Sequence, residues 1–148
     1  MKAEPAECSV DDALAAPHAT VPWTGVRNYQ ARNFMRDTMR VGDGVLFYHS
    51  SCAEPGIVGL AQVASTPYPD PTQFDLASPY HDPNAMPESP RWLLVDVQVL
   101  QKTRNLTLPE LRADSQLADM LLLKRGNRLS ITPVAPAHWH HIRALLSD

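Results

Sequence analysis

Trp23-Thr24-Gly25-Val26-Arg27-Asn28-Tyr29-Gln30-Ala31-Arg32-Asn33-Phe34-Met35-Arg36 holds a breaker, a cap and an amphipathic run in fourteen residues. Asn28 is a good N-cap residue, so a helix starts beside it. Ala31, Phe34, Met35, Thr38 and Met39 follow the i, i+3, i+4, i+7, i+8 spacing of one buried stripe. Arg32, Arg36 and Arg40 recur every four residues along its flank. Gly42-Asp43-Gly44 then breaks the helix. Downstream, Val45 to His49 and Ile57 to Ala64 are β-rich runs around the turn-forming Cys52-Ala53-Glu54-Pro55-Gly56, which reads as a hairpin. Upstream, Ser9-Val10-Asp11-Asp12 has the form of a capping box and predicts a brief helix through Leu14.

The second half is organised around proline. Seven of the 14 prolines (67, 69, 71, 79, 83, 87 and 90) fall in segment 67–90, together with Asp70, Asp75, Asp82 and Glu88. Proline removes donors and fixes φ, so this segment is neither a helix nor a central strand. It is far longer than an ordinary connection, and such loops are either functional or solvated excursions. Trp92 to Gln101 is the strongest strand by alternation. Leu108 to Leu111 predicts a short helix with Pro109 in its first turn. Leu117 to Leu123 predicts a compact helix stopped by Gly126-Asn127, and Ser130 to Val134 a short edge strand. Ala137 to Leu146 predicts a closing helix with Trp139, Ile142, Leu145 and Leu146 on one face. Helix and strand alternate without βαβ regularity. The fold class is therefore α+β, with a curved mixed sheet or small barrel flanked by short helices.

Composition narrows the function. The chain has 148 residues with 44% hydrophobic types, enough for one domain with a sizeable core. Its 13 basic and 16 acidic residues give a net charge of −3, which excludes a polybasic tail protein but not a local basic stripe. No apolar run is long enough to span a membrane, so no membrane partner is expected. No basic segment followed by an apolar one opens the chain, so no secretory signal is expected. Cys8 and Cys52 read as reduced thiols of a cytoplasmic protein.

Lys2-Ala3-Glu4-Pro5, the Trp23 to Arg36 run, Gly42-Asp43 before Phe47-Tyr48-His49-Ser50, Pro90-Arg91-Trp92, and Arg128-Leu129-Ser130 with Pro133-Val134 together resemble the EVE domain family over residues 1–148. The resemblance implies a PUA-like fold, related to the ASCH and YTH domains. It also implies binding of nucleic acid or nucleobases, with modified bases such as methylcytosine derivatives favoured. The family usually carries Ser where this chain has Ala3, which removes one hydroxyl from the implied pocket. The first strand is also short at its N-terminal end.

The residues support a base reader in their own right. Such a site needs flat stacking surfaces, fixed polar groups for the base edge and positive charge for phosphate. Trp23, Tyr29, Tyr48 and Trp92 are the candidate stacking rings; their ordinary alternative is core. Phe34, Phe47 and Trp139 lie inside amphipathic patterns and are assigned to core. One methyl group in an apolar slot contributes only about 0.8 kcal/mol. Stacking contributes roughly 1–3 kcal/mol without discriminating among bases. Selectivity therefore needs polar readout, for which Glu4, Asn28, His49 and Ser50 are candidates. Asn28 serves equally as a cap. Arg27 lies just before a helix N-terminus that favours phosphate. With Lys2, Gly25 and Val26 from the motifs, these residues make up the ligand-binding set. Arg32, Arg36, Arg40 and Arg128 make up the phosphate-binding set, with Arg125 beside it.

Enzyme readings are weaker. His138-Trp139-His140-His141 has no partner at zinc-ligand spacing and reads as helix surface, so no metal and no cofactor is expected. No phosphate-loop or dinucleotide glycine motif occurs. Two alternatives to the nucleic-acid module are a small hydrolase or nucleic-acid-processing enzyme using His49 with a neighbouring carboxylate or Cys52, and a binder of free small heterocycles.

Overall fold

A computed structural model describes residues 1–147 of the chain. Five strands form one curled mixed sheet: β1 (Lys2–Ala3), β2 (Thr20–Pro22), β3 (Gly44–His49), β4 (Gly56–Val63) and β7 (Asp96–Thr107). Their order is β1-β3-β4-β7-β2, with β1 parallel to β3 and the other pairs antiparallel. A two-stranded ribbon, β5 (Tyr68–Pro69) with β6 (Leu93–Leu94), stands beside it. The register shifts between Phe47 and Tyr48, between Ile57 and Gly59, and between Leu60 and Ala61. Such irregularities increase local twist and bend a strand. They curl the sheet into a half-barrel flanked by short helices.

The helices are α1 (Pro5–Cys8), α2 (Val10–Ala15), α3 (Tyr29–Asp37), α4 (Leu108–Ala113) and α5 (Pro136–Leu146). The caps follow the sequence closely. Ser9 and Asp12 close a full capping box, as do Thr107 and Glu110. Asn28 caps α3 by accepting the Ala31 N–H at 3.1 Å. Ala31 and Met35 of the stripe are buried, whereas Thr38 is exposed because the helix ends at Asp37.

Both faces of β3 are covered. Val45 and Phe47 enter one core cluster with Val10, Trp23, Met35 and Val97. Leu46 and Tyr48 enter another with Ile57, Leu111, Met120 and Ile142. Alternation along one strand thus feeds two cores. Phe47 is fully buried. Phe34 and Trp139 are only half-buried and line a groove of about 400 Å³ with Ile131 and Val134.

Three expected elements differ. The strand beginning at Trp92 is interrupted at Val95 and then runs on to Thr107. Lys102 and Arg104 break its apolar alternation, and pairing with β4 sustains it instead. Leu117 to Leu123 is not an α-helix but two 3₁₀ turns, Ser115–Leu117 and Leu121–Leu123. Ser130 to Val134 is not a strand: its link to β1 is the Lys2 N–H bond to the Ser130 carbonyl at 2.8 Å, and Pro133 has no donor to extend a ladder. Cys8 and Cys52 are free thiols. Among the described residues no helix is long and apolar enough to cross a membrane.

Two substitutions test this packing by denaturant unfolding. Asn28→Ala removes the α3 cap and is expected to lower stability by about 1 kcal/mol. Met35→Ala, at a fully buried position, is expected to lower it by roughly 2–5 kcal/mol.

Candidate functional site

The site grows from a buried carboxylate. Asp70 is fully buried at the start of the proline-rich segment. It accepts the Thr72 N–H at 2.8 Å, the Thr72 hydroxyl at 2.6 Å, the Gly25 N–H at 2.9 Å and the Arg27 Nη1 at 3.0 Å. Burial by itself pushes the Asp70 carboxyl up. The hydrogen bonds from Thr72, Gly25 and Arg27 more than offset this and hold it below the usual carboxylate range. Arg27 also donates from Nε and Nη2 to the Tyr80 carbonyl, at 3.0 and 2.8 Å.

A second splint is Gln73, also fully buried. Its amide nitrogen donates to the carbonyls of Asp70 and Trp92, and its oxygen accepts the N–H groups of Arg91 and Trp92. The Trp92 indole N–H donates to Asp82 at 2.7 Å. The proline-rich segment is therefore tied at both ends and in its middle.

That tethering places Tyr80 over Gly25. Gly25 has φ +86°, and a Cβ there would lie 2.7–2.9 Å from carbons of the Tyr80 ring. Only glycine permits both the turn and the close approach. The Tyr80 ring, Trp23, Val26 and Pro22 wall a cleft of about 390 Å³. Trp23 is 7% exposed and meets Phe47 edge-on at 5.2 Å. Lys2 and Arg128 bring positive charge to the cleft, and Glu4 and Glu7 bring negative charge. Partial burial lowers the Lys2 ammonium pKa. The Tyr80 hydroxyl donates to Glu7 at 2.5 Å. Flat rings, a carboxylate acceptor and two cations thus line one opening, of a size typical of ligand clefts at about 300–1,000 Å³.

A family model described as the EVE domain matches residues 1–145. This chain belongs to the EVE domain family. Thymocyte nuclear protein 1 of Homo sapiens is 42% identical over 146 residues, covering 93% of this chain and 64% of the relative. The Gallus gallus protein of the same name is also 42% identical, covering 93% of this chain and 60% of the relative. The chain thus spans about three-fifths of the length of these relatives. Among solved structures, human THYN1 in complex with 5-methylcytosine-containing DNA has a TM-score of 0.93 at 38% identity, covering 100% of this chain and 96% of that one. A Pseudomonas putida protein has a TM-score of 0.92 at 45% identity, covering 98% and 96%. The fold is PUA-like.

In this EVE domain Lys2, Glu4, Trp23, Gly25, Val26, Ser50 and Arg128 lie together at the cleft, and Ala3 is there too. The other sequence candidates lie elsewhere, each for a physical reason. Tyr48 is buried in the second core cluster, facing away. His49 Nε2 accepts the Val10 N–H at 3.1 Å, and its ring packs against Phe47. Desolvation by burial lowers its pKa, which favours this neutral acceptor form. Asn28 is engaged as the α3 cap. Tyr29 stacks on Trp92 at 4.8 Å, outside the cleft. Arg27 is committed to Asp70 and Tyr80 rather than open to phosphate.

The arginine flank is a separate surface. Arg32 lies over the Tyr29 ring and donates to the Arg91 carbonyl, Arg36 pairs with Asp37, and Arg40 bonds the carbonyls of Asp37 and Met39. The histidine cluster is not simply helix surface. His138 is buried and bonds Asp119 at 2.9 Å, and His141 bonds Asp114 at 2.6 Å, stitching α5 to the segment around the first 3₁₀ turn. Among the described residues no group of three or more His, Cys, Asp or Glu is placed to hold a metal. Sequence reasoning missed Glu7, Asp70, Gln73 and Tyr80. The signal for three of them was the length of the proline-rich segment itself.

The Asp70 anchor has a defined pH signature. Its folded pKa is depressed, so its contribution is complete above the ordinary value of about 3.9 and is lost as pH falls through the folded value. Asp70→Asn is expected to flatten the acid limb of stability against pH below about pH 4. Asp70→Ala is expected to lower stability by roughly 3 kcal/mol and to speed limited proteolysis within 67–90.

Proposed function

We propose that this EVE domain is a non-catalytic nucleic-acid-binding module. It receives an unpaired, modified base of the methylcytosine type in the cleft between Trp23 and Tyr80. The observation that carries the reading is that one cleft holds aromatic walls, a carboxylate edge and two cations. The DNA complex of the human relative, at a TM-score of 0.93, supports it. Extruding a base from a duplex exposes both its faces for stacking and its pairing edge for polar contacts. The site residues in this reading are Lys2, Glu4, Trp23, Gly25, Val26 and Ser50, with Arg128 beside Lys2 for flanking phosphates. The hydrolase alternative is disfavoured because the His49 Nε2 lone pair is occupied by the Val10 N–H. Two free thiols in so small a domain fit a reducing compartment such as the cytoplasm.

Titration with methylated and unmethylated oligonucleotides at several salt concentrations tests the reading. Affinity is expected to fall with rising salt. Lys2→Gln and Arg128→Gln are each expected to reduce the slope of log K against log salt by about 0.7–0.9 per lost phosphate contact. Equal slopes in these variants, with a reduced slope in Arg36→Gln or Arg40→Gln, would instead route the phosphates over α3. Millimolar, salt-insensitive binding of every oligonucleotide would sink the proposal.

A further inference from the structure

Among the described residues, one of the two cleft carboxylates accepts a hydrogen bond from a side chain. Glu7 accepts the Tyr80 hydroxyl. Tyr80 in turn lies against the Gly25 peptide, and its carbonyl takes two donors from Arg27. That arrangement reaches back to the buried Asp70 through Arg27 Nη1. Both carboxylates are exposed at the cleft, and the Glu4 side chain has no hydrogen bond among the described residues. A ligand group that must be recognised by direction meets at Glu7 an acceptor aimed by the Tyr80 hydroxyl and at Glu4 one with no such partner among the described residues.

We propose that Glu7 is the specificity-determining group of the cleft: it accepts a hydrogen bond from the exocyclic amine of an amino-bearing base, and Tyr80 is the positioning residue that aims it. The proposal rests on the reading of the cleft as a base site, and it names the edge chemistry that site selects. An ionised carboxylate accepts and never donates. The Tyr80 phenol occupies one lone-pair position of Glu7, a residue of the cleft lining, and leaves the others for a ligand donor. A cytosine-type base offers an N4 amine there, whereas thymine offers O4, a second acceptor. Thymine would set its carbonyl lone pairs against a carboxylate held in place. The methyl group and ring area of 5-methylcytosine and thymine are the same, so stacking and methyl burial do not separate them. Only the polar edge does. Burial, and then the bond to Glu7, pushes the Tyr80 phenol pKa up to about 12, so it stays a donor at neutral pH.

The test uses duplex DNA carrying one 5-methylcytosine or one thymine opposite an abasic site, where the base is already unstacked. The control is the same duplex with the base itself removed. Unmodified protein is expected to bind the 5-methylcytosine duplex about tenfold more tightly than the thymine duplex. Glu7→Gln, whose amide both donates and accepts, is expected to bring the two within about twofold, by weakening the first and strengthening the second. Tyr80→Phe keeps the ring and removes the latch. It is expected to reduce the preference for 5-methylcytosine over thymine, which a change in stacking alone would not move because both bases stack alike. Thermal unfolding of both variants checks that the fold is intact.

Equal binding of the two bases by unmodified protein overturns the proposal while leaving the base-site reading standing. So does a preference that survives Glu7→Gln, or one that disappears only in Glu4→Gln. Binding no tighter than to the base-free control overturns the base-site reading, and this proposal with it.

Discussion

A carboxylate removed from water is costly unless its lone pairs are filled, and Asp70 is removed completely. Its four donors come from two parts of the chain. Thr72 is local, while Gly25 and Arg27 lie on the connection between β2 and α3. Satisfying this one group therefore locks the proline-rich segment onto the Trp23 to Asn28 run. The positive φ of Gly25 and its missing side chain follow from the same junction, since its N–H points to Asp70 while its open face takes the Tyr80 ring. Without that lock nothing holds Tyr80 at the cleft, and Trp23 is left as its aromatic wall.

The same economy sorts the cations. Arg27 directs every donor group inward, to Asp70, Thr72 and two backbone carbonyls. It stabilises the site without being available to a ligand. Lys2 and Arg128 stand at the cleft on β1 and on the segment before α5, where their charge faces the opening. A domain with net charge −3 can hold a nucleic acid by such local placement, because a polymer responds to the field at its own phosphates rather than to the sum over the surface. The aromatic groups divide similarly. Tyr29 and Trp92 stack on each other, Tyr48 fills a core, and Trp23 with Tyr80 is left to the cleft.

Where local rules govern, the sequence was legible. Ser9 with Asp12 and Asn28 before α3 are caps because their oxygens reach N–H groups three residues away. The hairpin of β3 and β4 follows from two β-rich runs around a breaker turn. The whole-chain resemblance carried the fold family. Local rules failed where tertiary demands compete with them. Leu117 and Met120 both enter the second core, and Met120 is extended (φ −65°, ψ 130°) between the two 3₁₀ turns, so the expected helix is broken there. The candidate site shows the same division. Motifs pointed to Lys2, Glu4, Trp23 and Gly25, but propensity had no means of telling Tyr29 from Tyr80, or Arg27 from Arg128.

By itself, the sequence determined the capped helices and their breakers, the β3–β4 hairpin, the α+β class and the family, because each depends on neighbours within a few positions or on contiguous motifs. Tertiary structure alone decided which polar and aromatic groups are consumed inside the domain and which remain for a ligand. Asp70 meets Gly25 across 45 residues, and Tyr80 meets Glu7 across 73. A hydrogen bond of that span is set by how the half-barrel closes, and no periodicity along the chain encodes it.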